Sequence, residues 1–135
     1  MKMTSISNPN MLYDQIFLID DDSIFTTIAQ FKLQSLFPSV NVGVAHDKEH
    51  GFDLVRSKKA LIFLDINMND TNAWDFLQEF GEHLENSQVI VCSSSIDQQD
   101  VNRAKAHPLV AGYVIKPLTD ENIFAALKGQ WPRIG

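Results

Sequence analysis

Five apolar runs of strand length, each followed by a longer stretch with helical spacing, restrict what this chain can fold into more than any other feature. The runs are QIFLI (15–19), VNVGVA (40–45), ALIFLD (60–65), QVIVC (88–92) and VAGYVI (110–115). Most lack the apolar–polar alternation of a strand with one wet face, so they read as strands buried on both sides. Helical spacing joins Ile24, Ile28 and Phe31; Phe52 and Val55; Trp74, Leu77, Gly81 and Leu84; Val101, Ala104 and Ala106; and Ile123, Phe124 and Leu127. The alternation implies five βα units. Right-handed crossovers then place helices on both faces of one parallel sheet, an α/β, doubly wound (βα)5 architecture. At 135 residues, 44% of them hydrophobic, the chain suffices for one such domain. It is expected over 13–129, after a flexible leader (1–12) and before a short tail (130–135) that begins at a Gly129 stop.

Sheets of this kind bind ligands beyond the carboxyl ends of their strands. The unusual polar residues all fall there: Asp20, Asp21 and Asp22 after strand 1, Asp65 at the end of strand 3, Ser93, Ser94 and Ser95 after strand 4, and Lys116 with Pro117 after strand 5. Adjacent like charges in a low-dielectric setting resist ionising together, so the aspartates call for a cation. Oxygen donors of this type suit Mg²⁺, and a nearby ammonium and hydroxyl suit a phosphoryl group. Ordinary capping is the plainer reading of an aspartate triplet, but it leaves Asp65 and Lys116 unexplained. Asp22 is read as a favourable charge at a helix N-terminus and not as a ligand.

The formal net charge of −6, without a basic run, disfavours a nucleic-acid or anionic-membrane partner. No apolar run is long enough for a membrane-spanning helix, and MKMTSISNPN lacks the apolar core of a signal peptide, so a cytoplasmic location is expected. The lone Cys92 reads as a small buried apolar residue. His46 and His50 have i, i+4 spacing but no evident third ligand, and read as a solvated helix face. His83 and His107 read as surface residues, and Trp74 and the phenylalanines as core.

Taken together, Asp20 and Asp21, the LDINM segment around Asp65, Ser93, and GYVIKPLT with Lys116 and Pro117 make the chain resemble a response-regulator receiver domain of two-component signalling, from about residue 15 to 127. The resemblance implies a flavodoxin-like fold with strand order 2-1-3-4-5. It implies that Asp65 accepts a phosphoryl group from a phosphohistidine of a sensor histidine kinase or phosphotransfer protein. Mg²⁺ would be held by Asp21, by Asp20 mainly through water, by Asp65 and by the Asn67 carbonyl, while Lys116 pairs with Asp65 or the phosphoryl oxygens. Ser93 and Tyr113 would form the switch, the hydroxyl turning to the phosphoryl group and the aromatic following it inward; Ser94 is the alternative if strand 4 ends one residue later. A cis peptide is implied between Lys116 and Pro117. The face made by helix 4, strand 5 and helix 5, roughly residues 97–128, would signal to a separate protein or to a second copy, since too few residues follow Lys128 for an output domain.

Two departures bear on the loop after Asp65. Asn69 stands where family members commonly have proline, and Ala73 where they commonly have glycine, so that loop is expected to be less rigid and less permissive. Two other functions stay open. One is a pseudo-receiver that binds proteins without being phosphorylated, and the other is a Mg²⁺-dependent phosphohydrolase with an aspartyl nucleophile. The latter type uses a second aspartate two residues on, where this chain has Asn67.

Overall fold

The computed structural model describes residues 13–132; the leader expected over 1–12 and residues 133–135 lie outside the described residues. Five parallel strands, β1 (Gln15–Ile19), β2 (Asn41–Ala45), β3 (Ala60–Asp65), β4 (Gln88–Ser93) and β5 (Val110–Ile115), form one sheet in the order β2-β1-β3-β4-β5. Five helices connect and follow them: α1 (Ser23–Leu36), α2 (Lys48–Val55), α3 (Ala73–Phe80), α4 (Gln98–Ala106) and α5 (Asp120–Leu127). The expected segment from Trp74 to Leu84 is helical only to Phe80, and a single 3-10 turn, Gly81–His83, completes it.

The strands lack polar alternation because both of their faces are covered. Ile16 and Leu18, Leu61 and Phe63, and Ile90 and Cys92 point to one side, where Leu33 of α1 and Ile123 and Leu127 of α5 cover them. The intervening Phe17 and Ile19, Ile62 and Leu64, and Val89 and Val91 point to the other, under Val55 of α2, Phe76 and Leu77 of α3 and Val101 of α4. Close approach of α5 to the sheet requires Gly112, since a Cβ there would come within 3.1 Å of Ala126 Cβ and of Ile90 Cδ1. Gly129 ends α5 with a φ of 77°, the left-handed conformation that glycine adopts most readily. Beyond it, Trp131 packs against the second cluster.

The expected buried stripe of α1 is reversed. Ile24, Ile28 and Phe31 are 73%, 62% and 77% exposed, while Thr26, Ala29 and Leu33 face the sheet. Spacing alone does not separate the two faces, because Ala29 and Leu33 also recur at helical spacing. Phe124 and Ala106 are likewise turned outward. Truncating the buried Leu33 to alanine should therefore cost about 2–5 kcal/mol, whereas Phe31→Ser should stay within about 0.5 kcal/mol of wild type in urea unfolding. A core-sized loss for Phe31→Ser would contradict the orientation of α1.

Candidate functional site

The carboxyl ends of β1, β3, β4 and β5 bring the polar residues to one rim. Asp20, just past β1, is 1% exposed and Asp65, the last residue of β3, is 6% exposed, while Asp21 is half-buried. Each of the three offers a carboxylate oxygen within 4.8 Å of the others. Asp22 turns away and caps α1, accepting from the N–H groups of Ile24 and Phe25 at 3.0 Å each. Its own N–H donates to Asp20 Oδ1 at 2.9 Å.

Lys116 Nζ lies between the buried carboxylates, 2.5 Å from Asp20 Oδ2 and 3.2 Å from Asp65 Oδ1. The closer approach pairs the ammonium with Asp20 Oδ2, a buried oxygen with no other partner among the described residues. The ammonium also sits 4.5 Å above the centroid of the Phe25 ring, whose negative face favours it. The Lys116–Pro117 peptide bond is cis. Three hard carboxylate donors in close array fit a small divalent cation such as Mg²⁺.

Burial, and next the charge of Asp20, push the Asp65 pKa from 3.8 to about 6, against the pull of Lys116. Burial opposes the Lys116 ammonium, but Asp20 and Asp65 outweigh it and hold that pKa above the usual lysine value. Between pH 4 and pH 6 folded Asp65 keeps a proton that the unfolded chain releases, so its contribution to stability falls as pH rises through that window. After discounting for solvent screening the loss is about 1–2 kcal/mol. Metal-free urea unfolding at several pH values should show that slope in wild type relative to Asp65→Asn. Parallel curves would contradict the raised pKa.

Ser93 ends β4 and is buried, whereas Ser94 and Ser95 lie past the strand and are exposed. Ser93 Oγ accepts from Ser95 N–H at 3.2 Å, and the Tyr113 hydroxyl donates to Ser95 O at 3.3 Å. Tyr113 is buried, 3% exposed. Cys92 is buried, and burial pushes its thiol pKa far up, leaving it inert.

The histidine pair is not a helix face. His46 precedes α2 and its Nδ1 lies 3.0 Å from the Asp20 carbonyl, at the back of the rim, while His50 pairs with the α2 cap Asp47 at 2.7 Å. Spacing gave no sign of His46 at the site, and none of Phe25 beneath Lys116. The loop after Asp65 is also tied down more firmly than the absence of proline suggests, through Asn69 N–H to Asp21 Oδ2 at 2.7 Å. Its signal in the sequence was the non-proline residue itself, which alone leaves an N–H there.

A family model for the response regulator receiver domain matches residues 16–128. The chain is 27% identical over 116 residues to the transcriptional regulatory protein CpxR of Escherichia coli K12, covering 85% of this chain and 48% of that protein. The chain thus spans about half the length of the curated relatives it matches. Among solved structures, a two-component response regulator from Cytophaga hutchinsonii is 26% identical with a TM-score of 0.73, over 84% of this chain and 93% of that one. A response regulator receiver protein from Dyadobacter fermentans is 27% identical with a TM-score of 0.66, over 84% and 95% of the two chains.

Proposed function

The chain belongs to the response regulator receiver domain family, and from that premise we propose that Asp65 accepts a phosphoryl group from a phosphohistidine of a sensor histidine kinase or phosphotransfer protein. The observation that carries this reading is the Lys116 ammonium wedged between two buried carboxylates beside a third, at the carboxyl rim of a parallel sheet. In the transfer an Asp65 carboxylate oxygen attacks phosphorus, a P–O bond forms, the P–N bond to the imidazole breaks, and the departing nitrogen keeps the electron pair and takes up a proton. Asp20, Asp21, Asp65 and the Asn67 carbonyl would hold Mg²⁺, whose charge offsets that of the phosphoryl oxygens. Lys116, paired with Asp20 and Asp65, would balance charge on the phosphoryl oxygens and orient Asp65. Ile24 and Ile28, exposed beside Asp22 and next to a hollow of about 200 Å³ between α1 and Pro117, give the donor protein an apolar place to sit.

The readout would begin at Ser93. To donate to a phosphoryl oxygen the Ser93 hydroxyl would turn, drawing Oγ away from the Ser95 N–H that donates to it, and the Ser95 carbonyl in turn accepts from the Tyr113 hydroxyl. The change would then travel along residues 97–128, to a separate protein or to a second copy. A pseudo-receiver has little use for this set of carboxylates and ammonium. A phosphohydrolase of the aspartyl-nucleophile type lacks its acid/base, with Asn67 two residues after Asp65.

Titration of Mg²⁺ followed by tryptophan fluorescence tests the site, with Trp74 in the first turn of α3 as a reporter near the loop. Asp21→Ala should weaken binding strongly. Asp22→Ala should leave binding near wild type while lowering stability by about 1 kcal/mol through the lost cap. Equal loss of Mg²⁺ affinity in the two variants would contradict the division of roles.

A further inference from the structure

The turn after Asp65 holds the acidic rim with a bond that proline at its tip could not make. Asn67 bridges Asn72, and Met68 N–H donates to Thr71 O at 2.9 Å, which closes a tight antiparallel turn. From the tip of that turn Asn69 N–H reaches Asp21 Oδ2 at 2.7 Å, and among the described residues it is the one donor to that carboxylate. One position on, Asp70 Oδ2 accepts from Lys48 N–H at 3.1 Å, at the start of α2. The turn is therefore moored on one side to the end of β1 and on the other to α2.

The geometry points to the backbone N–H of Asn69 as a positioning group that orients Asp21 for Mg²⁺, an inference that rests on the proposal that Asp21 is a metal ligand. Asp21 stands past the last hydrogen-bonded residue of β1 with a half-buried side chain, so nothing in the sheet fixes its carboxylate. A short, charge-assisted hydrogen bond to one oxygen restricts its rotation. It also leaves about three of the four lone-pair sites of the carboxylate for a cation. The chain thus replaces the fixed φ of a proline with a hydrogen bond that acts on the ligand itself. The donor belongs to the backbone, so the Asn69 side chain should be dispensable and only proline should abolish the effect.

The test is Mg²⁺ affinity, read by tryptophan fluorescence, in wild type, Asn69→Ala, Asn69→Pro and Asp70→Ala. Asn69→Ala keeps the N–H and should stay within about twofold of wild type, while Asn69→Pro should bind about tenfold more weakly or worse. Asp70→Ala frees the other mooring without removing the donor, and should weaken binding by less than about threefold. Equal affinities for Asn69→Pro and Asn69→Ala would overturn the inference, as would equal losses in Asn69→Pro and Asp70→Ala, which would assign the effect to loop stiffness. Should Asn69→Pro fail to fold, the Asn69 amide proton of the otherwise native chain carries the test. It should resonate downfield, exchange slowly and move upfield in Asp21→Ala, and an amide indifferent to Asp21→Ala would overturn the assignment. A wild-type protein that binds no Mg²⁺ would show at once that the metal reading has failed, and this inference with it.

Discussion

Lys116→Met is expected to unfold more readily than wild type in metal-free buffer at pH 7, to recover when Mg²⁺ is added, and to take up phosphoryl groups about two orders of magnitude more slowly. Methionine keeps the length of the side chain and removes its charge. Asp20 and Asp65 would then face each other across the rim with no cation between them. Removing one partner from a buried ion pair commonly costs 3–5 kcal/mol; the loss here is set at about 2–3 kcal/mol because Asp65 can take up a proton instead of staying charged. Mg²⁺ supplies positive charge to the same carboxylates and should restore most of that loss by binding only the folded state. It cannot supply the ammonium N–H donors that orient Asp65, so the defect in transfer should persist. Unfolding curves with and without Mg²⁺ separate the two effects, and a loss of stability that Mg²⁺ leaves unchanged would mean that Lys116 acts through packing on Phe25 and not through charge.

The strands and the rim were legible in the sequence for one physical reason. A parallel sheet covered on both faces needs unbroken apolar strands, so Asp20, Asp65 and Lys116 stand out as the residues where each run stops. The faces of the helices were harder to read. On α1 the sheet takes Thr26, Ala29 and Leu33 and leaves Ile24, Ile28 and Phe31 to solvent, and apolar residues at helical spacing on both faces gave the sequence no way to choose between them. Contacts made by the backbone were nearly hidden, since a residue other than proline at position 69 permits an N–H there without naming its partner. The Asn69 N–H and the Asp20 carbonyl facing His46 belong to no residue type, so no pattern of side chains reveals them. The docking of Trp131, where Lys105 Nζ lies 6.0 Å over its ring, depends on the turn at Gly129 and had no periodic signal.

Asp65→Asn is expected to abolish phosphorylation while leaving the fold intact. The amide has nearly the shape of the carboxylate but is no nucleophile toward phosphorus at neutral pH, and it removes one of two buried like charges, so its effect on stability should be favourable or small. Ser93→Ala should behave differently, since Ser93 touches the product and not the attacking oxygen in this account. It should still be modified at Asp65, and it should blunt the change in amide hydrogen exchange that a beryllium fluoride mimic induces over residues 97–128 in wild type. If Ser93→Ala gave the full exchange response, the proposed route through Ser95 to Tyr113 would be wrong even with the chemistry at Asp65 intact.

The most direct measurement is the intact mass of the protein after incubation with Mg²⁺ and acetyl phosphate, followed by peptide mapping, in wild type and Asp65→Asn alongside a receiver domain known to accept that donor. The account predicts one phosphoryl adduct on wild type, mapped to Asp65 and lost when Mg²⁺ is chelated beforehand, and none on Asp65→Asn. A folded wild-type protein that gains no adduct while the control does, or an adduct that persists in Asp65→Asn, would contradict it.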